Sequence, residues 1–345
     1  MKKLIPRPLL LAAVFALSLL DRRDRPAPAP SAPSVPAWNI DFPCGEKGAL
    51  HSPELDKRLR RILADACAGK EGWDMCVRMQ QSRLQVCFMP NMPETSDAQY
   101  ASPMIVGRVQ VNPDVDAPVI RLNPKKKDAT LARFTLHEEE HWLQDGLHAF
   151  LPPDKYISPV DNVRLTRFKE AAGFTAEAVR LFKRELAGES FSFEGAEDQI
   201  TMPALLAVAR QSYAEDSASL TDGRLERRVF DAWFENQGML DAYDAGAIQK
   251  YAVYAGRLSE NPADAPPRMH LMIEDVLKIG AARGGVNYLM LPGFRHPDDP
   301  YYIGRFSPQN LAVLKVMDGQ WEFMRRNNGA PPLPPRPPAG VAPGF

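Results

Sequence analysis

Apolar residues recur at helical spacing from Ser52 to Ala68, where Leu55, Leu59, Ile62 and Leu63 share one face and Pro53 stands in the first turn. The period then shortens. Leu84, Val86 and Phe88 alternate across Arg83 to Met89; Ile105, Val106, Val109 and Val111 fill Met104 to Val111; Val119-Ile120 marks a short run in Pro118 to Leu122. Such alternation predicts strands of a small sheet. From Asp128 to about Leu147 the pattern is helical again, with Asp128 or Thr130 placed to cap the start and Gly146 near the end.

Helical spacing dominates the second half of the chain. It predicts helices over Ser158 to Leu186, Met202 to Tyr213, Arg224 to Tyr254 with breaks, Pro267 to Ala282, and Pro308 to Met324, with a loop-rich stretch at 284–305. The expected class is α+β, a small sheet packed on one helix and followed by a mainly helical second half.

Composition narrows the function classes. The chain has 345 residues, 45% hydrophobic and 25% charged, values of a globular protein that exclude a multi-span membrane protein and a wholly disordered chain. Lys plus Arg number 42 against 43 Asp plus Glu, so no global field collects nucleic acid. Prolines concentrate in Pro26 to Pro36 and Pro331 to Pro343, which read as extended tethers.

The N-terminus carries Lys2, Lys3 and Arg7 before an apolar run from Leu9 to Leu20, the pattern of a secretory segment too short to span a bilayer. All four cysteines, Cys44, Cys67, Cys76 and Cys87, fall in one stretch without the C-x-x-C pairs of a zinc ribbon. Two disulfides in an oxidising compartment fit this better than a structural metal, with three pairings open. The expected organisation is a signal-like segment at 1–20, a linker at 21–37, a main domain at 38–260 with a cysteine-bearing part at 44–87, a helical extension at 261–328 and a tail at 329–345. The expected location is periplasmic or secreted, with membrane contact only through an uncleaved N-terminus.

Chemistry concentrates in His137-Glu138-Glu139-Glu140-His141, an H-E-x-x-H pattern inside the helix expected from Asp128. Residues four apart differ by about 40° in direction and about 6 Å in height, so both imidazoles reach one metal from the same face. Glu138 lies beside that pair, where its carboxylate can act as general base toward a zinc-activated water. Acidic Glu139 and Glu140 also fit an exposed acidic face whose histidines pair with carboxylates.

A catalytic zinc takes a third protein ligand. His148 is close, but Gln144 and Leu147 occupy the glycine and final-histidine places of the longer H-E-x-x-H-x-x-G-x-x-H pattern. In the next helix Leu165, Phe168, Ala172, Val179, Phe182 and Leu186 form one apolar stripe, and Val163, Glu170, Phe174, Glu177 and Leu181 form another. Carboxylates on an apolar stripe need a partner. Glu170 is the favoured third ligand, because Ala171-Ala172-Gly173 beside it lets two helices approach closely; Glu177 is the second choice, and an ion pair to Arg133 or Arg167 is the alternative. Tyr288, Tyr301, Tyr302, His270 and His296 are unranked candidates for an oxyanion donor.

The segment His137-Glu-Glu-Glu-His-Trp-Leu-Gln144, followed by Leu165-Thr-Arg-Phe-Lys-Glu-Ala-Ala172, resembles a largely uncharacterised family of bacterial zincin-like metallopeptidases. The resemblance covers about 40 residues. It implies a zincin-like fold, Zn2+ held by His137, His141 and Glu170, and Glu138 as general base. The expected function is hydrolysis of a peptide or protein substrate, peptidoglycan peptides included. A catalytically inactive zincin-fold binding or scaffold protein of the cell envelope is the alternative.

Overall fold

The computed structural model describes residues 44–94, 96–102, 105–106, 109–110, 116–147, 157–189, 193, 196–260, 271–281 and 285–327. The signal-like segment, the linker, His148, His270 and the tail lie outside them.

Helix α1 (Pro53–Ala66) starts where Ser52 Oγ accepts from the Leu55 N–H at 3.1 Å, with Pro53 supplying the first-turn geometry. Helix α2 (Gly69–Gln81) follows after a two-residue connection and has no counterpart among the helices expected from the sequence. Its approach to α1 is close enough that a Cβ on Gly72 would lie 2.6 Å from the Ala66 carbonyl oxygen. Of the three cysteine pairings, the structure has Cys44–Cys87 and Cys67–Cys76. The first ties the chain ahead of α1 to the sheet, and the second ties the end of α1 to α2.

The described residues next form five short strands: β1 (Gln85–Phe88), β2 (Ala98–Ala101), β3 (Ile105–Val106), β4 (Val109–Gln110) and β5 (Val119–Leu122). The main sheet has order β1-β5-β2, with β1 parallel and β2 antiparallel to β5. Of the stretch expected as a strand over Met104 to Val111, the described residues form a separate antiparallel pairing of β3 with β4, and positions 104, 107, 108 and 111 lie outside the described residues. Helix α3 (Asp128–Leu147) leaves β5 after a short connection and packs against α1, α2, β2 and β5.

Helix α4 (Pro159–Leu186) is the centre of the second half, packing against α3, α5 (Ala196–Glu215), α6 (Arg224–Trp233), α7 (Gln237–Glu260), α8 (Ile273–Ile279) and α10 (Pro308–Asn327). The short α9 (Pro300–Ile303) precedes α10. Two opposite apolar stripes on α4 are explained by this enclosure, since a helix apolar on both sides is a buried one. Leu165, Phe168, Ala172, Val179 and Phe182 join a core with Leu206, Phe230, Trp233 and Leu240; Leu186, expected in the same stripe, is exposed at the helix end. The helical stretch expected over Arg224 to Tyr254 with breaks is interrupted at 234–236, between α6 and α7.

A second core packs α1, α2 and the sheet against one face of α3, through Ile62, Leu63, Met75, Met79, Leu84, Ile120, Leu122 and Leu136. The other face of α3 meets α4. Beyond α4, the fully buried Arg167 guanidinium donates to both carboxylate oxygens of Asp244 on α7, at 2.7 and 2.6 Å, and to the Tyr302 and Arg305 carbonyls. The described part of 261–328 is thereby anchored on α4 and α7. No helix of the described residues is long and apolar enough to cross a membrane.

Candidate metal centre

The junction of α3 and α4 positions the chemistry-bearing residues. Glu139, fully buried, receives Arg78 of α2 at 2.8 Å and Arg180 of α4 at 3.4 Å. One arginine from α2 and one from α4 thus share this buried carboxylate of α3. Glu138, Glu139 and Glu140 are all buried, so the exposed acidic face is not what forms; α2, β2 and α4 cover these carboxylates.

His137 and His141 point their Nε2 atoms at the same carboxylate. His137 Nε2 lies 3.3 Å from Glu170 Oε2, and His141 Nε2 lies 3.6 Å from Glu170 Oε1. The three ligand atoms of His137, His141 and Glu170 all fall within 4.8 Å of one another. A tetrahedral shell with bonds of about 2.0–2.1 Å separates its ligand atoms by about 3.3 Å, so the spacing matches one small divalent ion with little movement. Two imidazoles and a carboxylate are a donor set that suits zinc and other borderline divalent metals.

Close approach of the helices depends on Gly173. A Cβ there would stand 2.7 Å from both Cε1 and Nε2 of His137. Phe174 packs edge-on against the same ring, with centroids 4.7 Å apart.

The far nitrogens of the two histidines face different partners. His141 Nδ1 is 3.2 Å from Gln144 Oε1, and the Gln144 amide donates to the Lys169 carbonyl at 3.4 Å. Gln144 is fully buried and was visible in the sequence only as part of the family pattern. His137 Nδ1 faces Glu177 Oε2 at 3.5 Å, while Arg133 Nε lies 2.6 Å from Glu177 Oε1. Glu177, the second choice for third ligand, therefore stands behind His137. The arginines expected as alternative partners of Glu170 are committed elsewhere, Arg133 to Glu177 and Arg167 to Asp244.

Glu138 Oε2 accepts the Tyr100 backbone N–H at 2.6 Å. In the β2–β5 ladder the Asn123 N–H bonds the Asp97 carbonyl, so odd-numbered residues of β2 face β5 and Tyr100 faces the free edge. The carboxylate next to the histidines thus caps β2 on the side away from β5, which is an edge of the sheet among the described residues.

Charge in the cluster follows from burial and pairing. For His137 burial opposes the charged form, but hydrogen bonding and charge from Glu170 and Glu177 outweigh it and raise the imidazolium pKa to about 10. His141 is likewise raised, burial being outweighed by Glu170. Burial would raise Glu170 too, yet the two imidazoles hold it well below the ordinary carboxylate range. Glu138 moves the other way: burial raises it, against the two histidines and the Tyr100 N–H.

Of the oxyanion candidates His270 lies outside the described residues, and the other four are engaged elsewhere. Tyr302 is buried against Phe168 and donates to Asp231, Tyr301 bonds Glu235, Tyr288 packs on Phe230, and His296 pairs with Asp298. None of them touches His137, His141 or Glu170 through any of these contacts.

The chain matches no protein-family model, no curated protein and no solved structure.

Proposed function

We propose that the chain is a zinc-dependent peptidase of zincin-like type, with His137, His141 and Glu170 holding the metal and Glu138 acting as general base. The observation that supports this most strongly is the convergence of His137, His141 and Glu170 within 4.8 Å, with Glu138 on the adjoining helical position. Zinc bound there supplies Lewis acidity, polarising a carbonyl and making water acidic enough to be deprotonated near neutral pH.

The chain's own residues do the rest. Burial raises Glu138 above an ordinary carboxylate, which favours accepting a proton and returning it to a leaving amine. The Tyr100 N–H holds one Glu138 oxygen and leaves the other to receive that proton. A peptide substrate is supported by β2, which among the described residues is an edge strand beside Glu138 and offers its remaining outward backbone groups to an extended chain.

Two disulfides, and no membrane-crossing helix among the described residues, are compatible with an extracellular protein. Export directed by residues 1–20 belongs to the same reading.

One observation favours a second reading, a binding protein without turnover: the Glu138 carboxylate is engaged by the β2 backbone at 2.6 Å. Glu138→Gln separates the two. A peptidase keeps its zinc and loses about 10²- to 10⁴-fold in rate on a cleaved peptide library; a binding protein shows no cleavage before or after the change.

A further inference from the structure

Behind the ligand cluster stands a buried ion pair that metal binding does not itself require. Glu177 is fully buried, its Oε1 2.6 Å from Arg133 Nε, and its Oε2 is the acid oxygen facing His137 Nδ1 at 3.5 Å. Among the described residues neither this nitrogen nor Glu177 Oε2 has another hydrogen-bond partner, so two buried polar atoms face each other just beyond close hydrogen-bond distance. Arg133 lies one helical turn before His137 on α3, and Glu177 lies two turns after Glu170 on α4, so four residues form two facing rungs between the same helices. One rung is His137 with Glu170; the other is Arg133 with Glu177.

From this arrangement we infer that Glu177 is a positioning residue for His137. It accepts the Nδ1 proton, fixes the tautomer that leaves the Nε2 lone pair toward Glu170, and sets the ring plane; Arg133 holds the carboxylate in place and balances its charge. The two histidines are therefore unequal. His141 is oriented by the neutral amide of Gln144, whereas His137 is oriented by a carboxylate, which strengthens an imidazole as a ligand. Gly173 lets the ring lie this close to α4, within 2.7 Å of where a Cβ would stand, while the flipped ring fills nearly the same volume, so the choice of orientation falls to the hydrogen-bond partners.

The inference rests on the metal reading above and is tested apart from it. In zinc-loaded parent protein, nitrogen-15 chemical shifts of His137 should show a protonated Nδ1 and a metallated Nε2; the reverse tautomer overturns the role of Glu177. Glu177→Gln, and Arg133→Met/Glu177→Met as a variant that leaves no buried charge unpaired, should bind one zinc with about 10- to 100-fold weaker affinity in chelator competition. Their cobalt(II)-loaded visible spectra should shift as well. A merely structural Glu177 would alter the melting of the metal-free protein and leave zinc affinity and the cobalt spectrum at parent values, which overturns the proposal while the metal site stands. A parent that takes up no zinc overturns the metal reading, and this inference with it.

Discussion

Gly173 faces the His137 ring so closely that a methyl group in place of its hydrogen would sit 2.7 Å from two ring atoms. A glycine on α4 and a histidine on α3 thus determine the separation of the two helices that carry the ligands. Overpacking at such a contact costs about 1–3 kcal/mol. Gly173→Ala is expected to lower the melting temperature by several degrees and to cut zinc affinity at least about tenfold. Zinc binding at parent affinity in that variant would show that the contact relaxes freely.

Metal binding should depend steeply on pH. His137 has its pKa raised to about 10, against about 6.5 in an unfolded chain, so its contribution to stability is complete below about pH 6.5 and is lost as the pH climbs toward 10. Glu170 is shifted downward, so its contribution is present above the ordinary carboxylate range and is lost on acidification. Metal-free protein should therefore melt progressively lower between pH 7 and pH 10. Zinc must displace the His137 proton, so zinc affinity rises over that same interval. Calorimetry at pH 7 in two buffers of different ionisation enthalpy should register proton release; identical heats would contradict it.

Arg167 and Asp244 form a bidentate pair in which both side chains are fully buried, one turn before Glu170 on α4. Arg167→Met leaves a buried carboxylate without its main partner, and a loss of about 3–5 kcal/mol is expected in denaturant unfolding. Arg167→Met/Asp244→Asn should recover part of that loss. An unchanged midpoint for the single variant would place the pair outside the cooperative core.

The two disulfides close loops of different length, 43 and 9 residues apart in sequence. Loop-closure entropy gives about 4 kcal/mol for the longer and about 2.6 kcal/mol for the shorter. Cys44→Ala/Cys87→Ala should then destabilise more than Cys67→Ala/Cys76→Ala in urea titrations. The reverse order would mean that the α1–α2 staple acts on the folded state, through α2 and its Arg78–Glu139 contact.

Much of the site's frame was legible because it depends on local periodicity. The helix expected over Asp128 to about Leu147 has those bounds in the structure, and the paired stripes of the next helix pointed to Glu170 as a buried carboxylate in need of a partner. What escaped the sequence depends on distant pairs. The acidic Glu139 inside the motif makes sense only with Arg78, 61 positions earlier, and Arg180, 41 positions later. Glu177 carried the same signal as Glu170, and only the side of His137 it faces separates their places. Strand β2, Ala98-Gln-Tyr-Ala101, has no β-branched residue to mark it, yet its Tyr100 N–H contacts Glu138. Helix α2 begins with Gly69 and contains Gly72, poor helix formers that its packing on α1 and the Cys67–Cys76 bridge override.

The metal site is tested most directly by counting zinc per chain by elemental analysis, on protein purified without a metal-affinity tag, alongside His141→Ala. About one zinc per parent chain, lost in the variant while its circular dichroism stays that of the parent, is the expected result. A parent that takes up no zinc after remetallation at pH 8, where proton competition is weaker than at neutral pH, would contradict the metal centre and the peptidase reading together.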